Sequence, residues 1–290
     1  MEDKTKALFD RSLPFLIFLV TGVVFFPVIN WLLSQTVAHE QLSHAFLVFL
    51  LSGALLVYER HIAIRISCRF TDISQNLLIF SYAVLVLAIF SKVNLIVLAA
   101  LCLSLASFLL FLFGDEQRRL IFSSIGAFAL FSGIAVFLPV LDWPLRTFAG
   151  KWAAYGLHLV GQHVELGLVP AAAGPQLILL NNGRPFHVAA ECNGFGMISS
   201  CLLMALIIVL YRKLSLFDRL GWLGIALLLG LFFNCLRIII IVLLAPSLPD
   251  SAYMLMHEIV GLATTYGGLA ALYFLLMPKA TAEPEKSLAD

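Results

Sequence analysis

The sequence predicts an all-α integral membrane protein: a polytopic bundle of about eight transmembrane helices with a small outward-facing cap. Three observations predict it. First, the 290 residues are 61% hydrophobic and 12% charged, with a mean hydropathy of +1.00. Soluble domains are about half apolar and about a quarter charged. Second, apolar runs recur at the roughly 20-residue length that a helix needs to cross a hydrocarbon core. Third, lysine and arginine crowd into alternate connecting segments, as orientation in a membrane requires. The net charge of +1 gives no reason to expect a nucleic-acid partner. The expected surroundings are membrane lipids.

Eight spans are expected, at 13–34, 42–59, 74–91, 93–113, 120–140, 190–211, 220–245 and 254–277. The first run has no small-residue cleavage site before it and reads as a retained span. A tight connection at Ser91-Lys92 makes the third and fourth spans a helical hairpin. With the N-terminus inside, the inner segments carry thirteen lysines and arginines and the outer segments four. The bias predicts that both termini are cytoplasmic. The expected location is therefore the cytoplasmic membrane, with multiple passes. The long segment 141–189 then faces outward as the cap. "RTFAGKWAAYGLHLVGQHVELGL" reads as a helix lying at the interface. "QLILLNNGRPFHVAAE" offers two extended runs around Asn182-Gly183, a strong hairpin-turn pair because both residues tolerate positive φ. Residues 1–279 form one membrane domain in this reading, and 280–290 a polar, disordered tail.

Ionisable residues inside spans are costly and mark functional sites by default. Arg237 lies within "LFFNCLRIIIIVLLA", with Asn234 one turn away on the same face. About eight residues, or roughly 12 Å, separate Arg237 from the outer end of its helix. His257 stands about one turn into the last span, with Gly261 at i+4. Cys192 opens the sixth span at its outer end, within "AAECNGFG". Glu191 precedes it and Asn193-Gly194 follow. A helix N-terminus favours a thiolate. The other cysteines (Cys68, Cys102, Cys201, Cys235) read as small, buried, apolar fillers, and no CxxC pair exists. "AHEQLSHAF" adds His39, Glu40, Ser43 and His44 at the outer end of the second span. The topology rests on loop charges alone, yet it puts these groups at similar depth on one side. A cysteine, a histidine and an arginine suffice for acyl transfer: nucleophile, proton carrier and oxyanion donor. Glu191 either orients a histidine or pairs with Arg237.

These residues resemble the exosortase/archaeosortase family of membrane transpeptidases. The family pattern is a Cys-Ser/Thr-Gly box, an Asn-x-x-Arg box and a His-x-x-x-Gly box on successive late spans. Here Cys192-Asn193-Gly194, Asn234-x-x-Arg237 and His257-x-x-x-Gly261 follow in that order. A weaker early Ser-His-Gly box is met by Ser43-His44, with Ala45 in place of glycine. Asn193 departs from the usual Ser or Thr. The resemblance implies that Cys192 is the nucleophile, with Arg237 and His257 essential. Glu191, Asn193, Asn234 and His44 are supporting candidates. It implies cleavage, at the outer face, of a C-terminal sorting signal made of a short motif, a hydrophobic helix and a basic cluster. The acyl-enzyme would then pass to an amine acceptor of an envelope lipid or glycan.

Three rivals differ in class. A transporter would line a substrate path with Arg237 and Asn234, but no inverted repeat is visible. A zinc site could draw on Cys192, His257 and His44, but no metal-ligand spacing supports it. A non-enzymatic assembly factor would tolerate changes at all three polar positions. The expectation is an enzyme without metal or other cofactor.

Overall fold

The computed structural model describes residues 2–170, 176–188, 192–212 and 214–276. Eight α-helices follow in order: α1 (Glu2–Ala38), α2 (Glu40–Glu59), α3 (Asp72–Ser91), α4 (Asn94–Phe113), α5 (Arg118–Leu159), α6 (Phe195–Tyr211), α7 (Leu216–Leu244) and α8 (Asp250–Leu276). Seven are long and apolar enough to cross a membrane, and α6, at 17 residues, is slightly shorter. The polytopic all-α bundle expected from composition is the fold observed.

The hairpin of α3 and α4 turns where expected. Lys92 caps α3 in the left-handed region at φ 56, and α4 starts two residues later. Buried serines join the pair: Ser81 donates to the carbonyl of Ala100 and Ser107 to that of Ser74. The turn from α1 into α2 is held in a similar way. His39 Nδ1 lies 3.0 Å from the carbonyl of Gln35, and Ser43 donates to that of Thr36 at 2.6 Å. His39 and Ser43 therefore shape the turn. Cys68 departs from the reading as a buried filler: it is exposed in the connection between α2 and α3. Cys102 and Cys201 are buried, and Cys235 is partly so.

The segment after the fifth span differs from the expected interfacial helix. α5 runs unbroken for 42 residues, through Pro139 and Pro144. At 1.5 Å per residue that is about 63 Å, roughly twice a hydrocarbon core. The far half of α5 is a platform that carries the cap on one side and packs against α7 on the other. Its small residues Ala149, Gly150, Ala153 and Ala154 are buried under the cap, which explains why the helix persists there. Gly161, at φ +80, ends the run.

The cap is a three-stranded antiparallel sheet in the order β1 (Val164–Val169), β2 (Gln176–Asn181), β3 (Arg184–His187). The β2–β3 hairpin is the one expected, with Asn182 at φ 48 and Gly183 at φ 79, as a tight hairpin turn requires. β1 was expected to be helical. Its pairing of Leu166 with Leu179 and Leu168 with Leu177 explains the difference: a strand satisfies the backbone against β2 and turns alternate residues onto the platform. Val164, Leu177, Leu179 and Val188 pack on Ala149, Ala153 and Leu157 of α5, on Ile238 and Val242 of α7, and on Cys192. The cap therefore bears directly on the cysteine.

Candidate functional site

Cys192 lies in a short 3-10 turn ahead of α6 rather than within it. The sixth span was expected from 190, but α6 begins at Phe195. The reason is local. Asn193 Oδ1 accepts from the Phe195 amide at 2.7 Å, and Gly194 sits at φ +82. An Asn side chain that bonds nearby backbone competes with helix formation, and the left-handed region favours glycine. A Cβ on Gly194 would also fall 2.6 Å from Asn234 Nδ2 and 2.7 Å from its Cγ, so glycine is required there twice over.

Both ends of the Asn193 amide are engaged. Its Nδ2 donates to Asp142 Oδ1 at 2.5 Å, and Arg146 donates to Asp142 Oδ2 at 2.5 Å. The Arg146 guanidinium in turn lies 5.9 Å from the Trp143 ring centroid. The platform of α5 thus clamps the cysteine turn through a chain of polar contacts. From the other side, Asn234 Nδ2 of α7 donates to the Cys192 carbonyl at 3.1 Å. Cys192, Asn193 and Asn234 are all buried.

The late boxes interlock. The Sγ of Cys192 lies 3.8 Å from His257 Nε2. The Arg237 guanidinium rests against the backbone of α8 at Gly261, where an added Cβ would meet Nη2 at 3.1 Å, Cζ at 3.2 Å and Nε at 3.3 Å. The four-residue step from His257 to Gly261 therefore presents an imidazole to the thiol and bare backbone to the arginine. All four residues line one cavity of about 710 Å³, together with Asn234 and His44. His44 belongs to the α2 wall, 3.6 Å from Glu40, and both are well exposed. Glu191 lies outside the described residues. Among those described, no three His, Cys, Asp or Glu side chains come together in a way that could hold a metal ion.

Sequence reasoning missed several lining residues: Gln41, His187, Ser200, Tyr253 and Glu258. Tyr253 lies beside His257, with ring centroids 6.2 Å apart and the rings tilted by 38°. It also missed Asp142 and Arg146. Their i,i+4 spacing on a helix was a usable signal, but reading 141–189 as a separate cap hid it. The arrangement offers a thiol, an imidazole at its side, and a guanidinium in a partly enclosed space.

A family model described as transmembrane exosortase matches residues 31–275. The match runs from the last part of α1 almost to the end of α8. Neither the curated proteins nor the solved structures give a match.

Proposed function

Because the chain belongs to the transmembrane exosortase family, whose membrane-embedded members act on C-terminal sorting signals and are generally cysteine transpeptidases or proteases, we propose that Cys192 is the nucleophile of a thioester-forming reaction on such a signal. The observation that carries the reading is the 3.8 Å approach of Cys192 Sγ to His257 Nε2, in a cavity also lined by Arg237. That distance suits a resting sulfur–nitrogen pair, which tightens when substrate binds.

The chemistry follows from the groups. His257 Nε2 takes the thiol proton as Sγ attacks the carbonyl carbon of the scissile peptide bond. The carbonyl oxygen becomes an oxyanion, and Arg237 donates to it. One such donor in a dry site contributes about 3–4 kcal/mol to barrier lowering. The C–N bond then breaks, and the imidazolium returns its proton to the leaving amine. The thioester left on Sγ is resolved by an amine, which transfers the acyl part to an envelope acceptor, or by water, which releases it. Asn234 and the Asn193–Asp142–Arg146 chain hold the turn that carries the thiol. His44 and Glu40 face the same space from α2 and are suited to the approach of the second substrate. The charge bias of the loops supports an outer-face site, with both termini inside. A single membrane domain over 1–279 fits this reading.

Cys192→Ala tests it. Purified variant should bind a membrane-anchored sorting-signal peptide and leave it uncut. Cleavage at the wild-type rate would remove the cysteine from the chemistry.

A further inference from the structure

Hydroxyls inside helices commonly bond the carbonyl one turn back. Thr21, Ser34, Thr36, Ser132 and Thr264 all do so here, at distances of 2.7–2.9 Å. Ser200 of α6 does not. It is 1% exposed, and its Oγ has no hydrogen-bond partner among the described residues. Ser200 lines the cavity that holds Cys192. Asn234 is 2% exposed and lines the same cavity. Its Nδ2 is committed to the Cys192 carbonyl, which fixes the orientation of the amide. Its Oδ1 has no partner among the described residues. Buried polar atoms without partners are costly, and a ligand with matching groups recovers that cost.

The two atoms match one chemical unit. Asn234 Oδ1 can only accept, while the Ser200 hydroxyl can donate. A peptide unit carries one N–H donor and one carbonyl acceptor. Ser200 is five residues beyond Phe195, the first residue of α6, or about 7–8 Å further along the helix and away from the cysteine turn. We infer that Ser200 Oγ and Asn234 Oδ1 form a subsite for a backbone peptide unit of the substrate, on the leaving-group side of the scissile bond. The inference rests on the cysteine mechanism proposed above. It adds a constraint on the substrate. A peptide unit within a helix interior has both groups already paired, so the sorting signal must leave the helix interior next to the cut even if the segment beyond is helical. Ser200 binds in this scheme and moves no proton.

The experiment uses full-length enzyme and a sorting-signal peptide in lipid nanodiscs. Ser200→Ala should raise KM about threefold to tenfold, the loss of one hydrogen bond. The kcat should stay within about twofold. The Tm without substrate should be unchanged or higher, because the substitution removes a buried hydroxyl that lacks a partner. Alkylation of Cys192 by a small maleimide should keep its rate. An ester in place of the amide just beyond the cut lacks the N–H and should raise the wild-type KM by a similar factor. An unchanged KM in Ser200→Ala, or a fall in Tm together with activity, would overturn the subsite and leave the cysteine mechanism standing. Wild-type enzyme that cuts nothing would remove both.

Discussion

At one end of α2, α6 and α8 lies the cavity of about 710 Å³ that holds Cys192, Arg237 and His257. At the other end the same three helices line a smaller cavity of about 260 Å³, with Glu59, Arg60, Tyr211, Arg212 and Tyr273 on its walls. Both ends are polar, but in different ways. At the smaller end the cations cap helix C-termini: Arg60 follows α2 and Arg212 follows α6. Such placement is favourable to the helices themselves. The Tyr273 hydroxyl donates to Glu59, which ties α8 to α2. Burial, then the nearby Arg60, pulls the Arg212 pKa below its usual value, while Glu59 acts in the opposite sense. These groups serve one another. At the larger end the contacts converge on one residue. Asn234 holds the Cys192 carbonyl, Asn193 holds the turn, and His257 reaches the thiol. Polar density is common to both ends; convergence on a single thiol-bearing residue belongs to the larger one.

Substitutions can break that contrast. The largest effect short of removing the thiol is expected at Arg237. Arg237→Lys should lower kcat by about a hundredfold to a thousandfold, with Tm little changed. Lysine is a point charge and lacks the planar fork that lies along Gly261. Steady-state cleavage and thermal melting would check it, and full activity would argue against oxyanion work by this residue. Asp142→Ala comes next. It takes the acceptor from Asn193 and strands the Arg146 charge, so stability should fall by about 1.5–3 kcal/mol. Cleavage should fall with it by roughly tenfold, because the thiol turn loses its clamp to α5. Asp142→Asn, which keeps one carbonyl oxygen, should recover part of both. Smallest is Tyr273→Phe at the opposite end. It should cost about 1 kcal/mol of stability and leave cleavage within about twofold. Equal losses of cleavage from substitutions at the two ends would show that the two cavities do not differ in function.

Much of this was legible in sequence because membranes constrain the backbone so strongly. Every spanning segment must satisfy its own backbone polar groups, so hydropathy finds helices. It marked seven spans and α6, and Lys92 and Asn182-Gly183 marked two turns. Asn234, Arg237 and His257 were legible because a polar residue within an apolar run needs a reason. Other features were hidden for physical reasons. The start of α6 depends on the φ of Gly194 and on an Asn193 bond, neither of which a hydropathy window can register. The partner of Asn193 is Asp142, 51 residues away, a contact that only tertiary structure creates. Strand β1 is a short apolar run, and such runs fit strand or helix until a partner strand decides. Ser200 sits among residues so apolar that one hydroxyl draws no notice, and only the structure shows that its buried oxygen has no hydrogen-bond partner among the described residues.

The most direct test of the central claim is the C-termini of surface proteins in cells that carry Cys192→Ala in place of the wild-type chain, read by mass spectrometry of the isolated envelope. The account predicts that substrates accumulate with their C-terminal hydrophobic segments attached, while the variant itself is inserted at normal abundance. C-termini processed as in the wild type, at normal abundance of the variant, would contradict it.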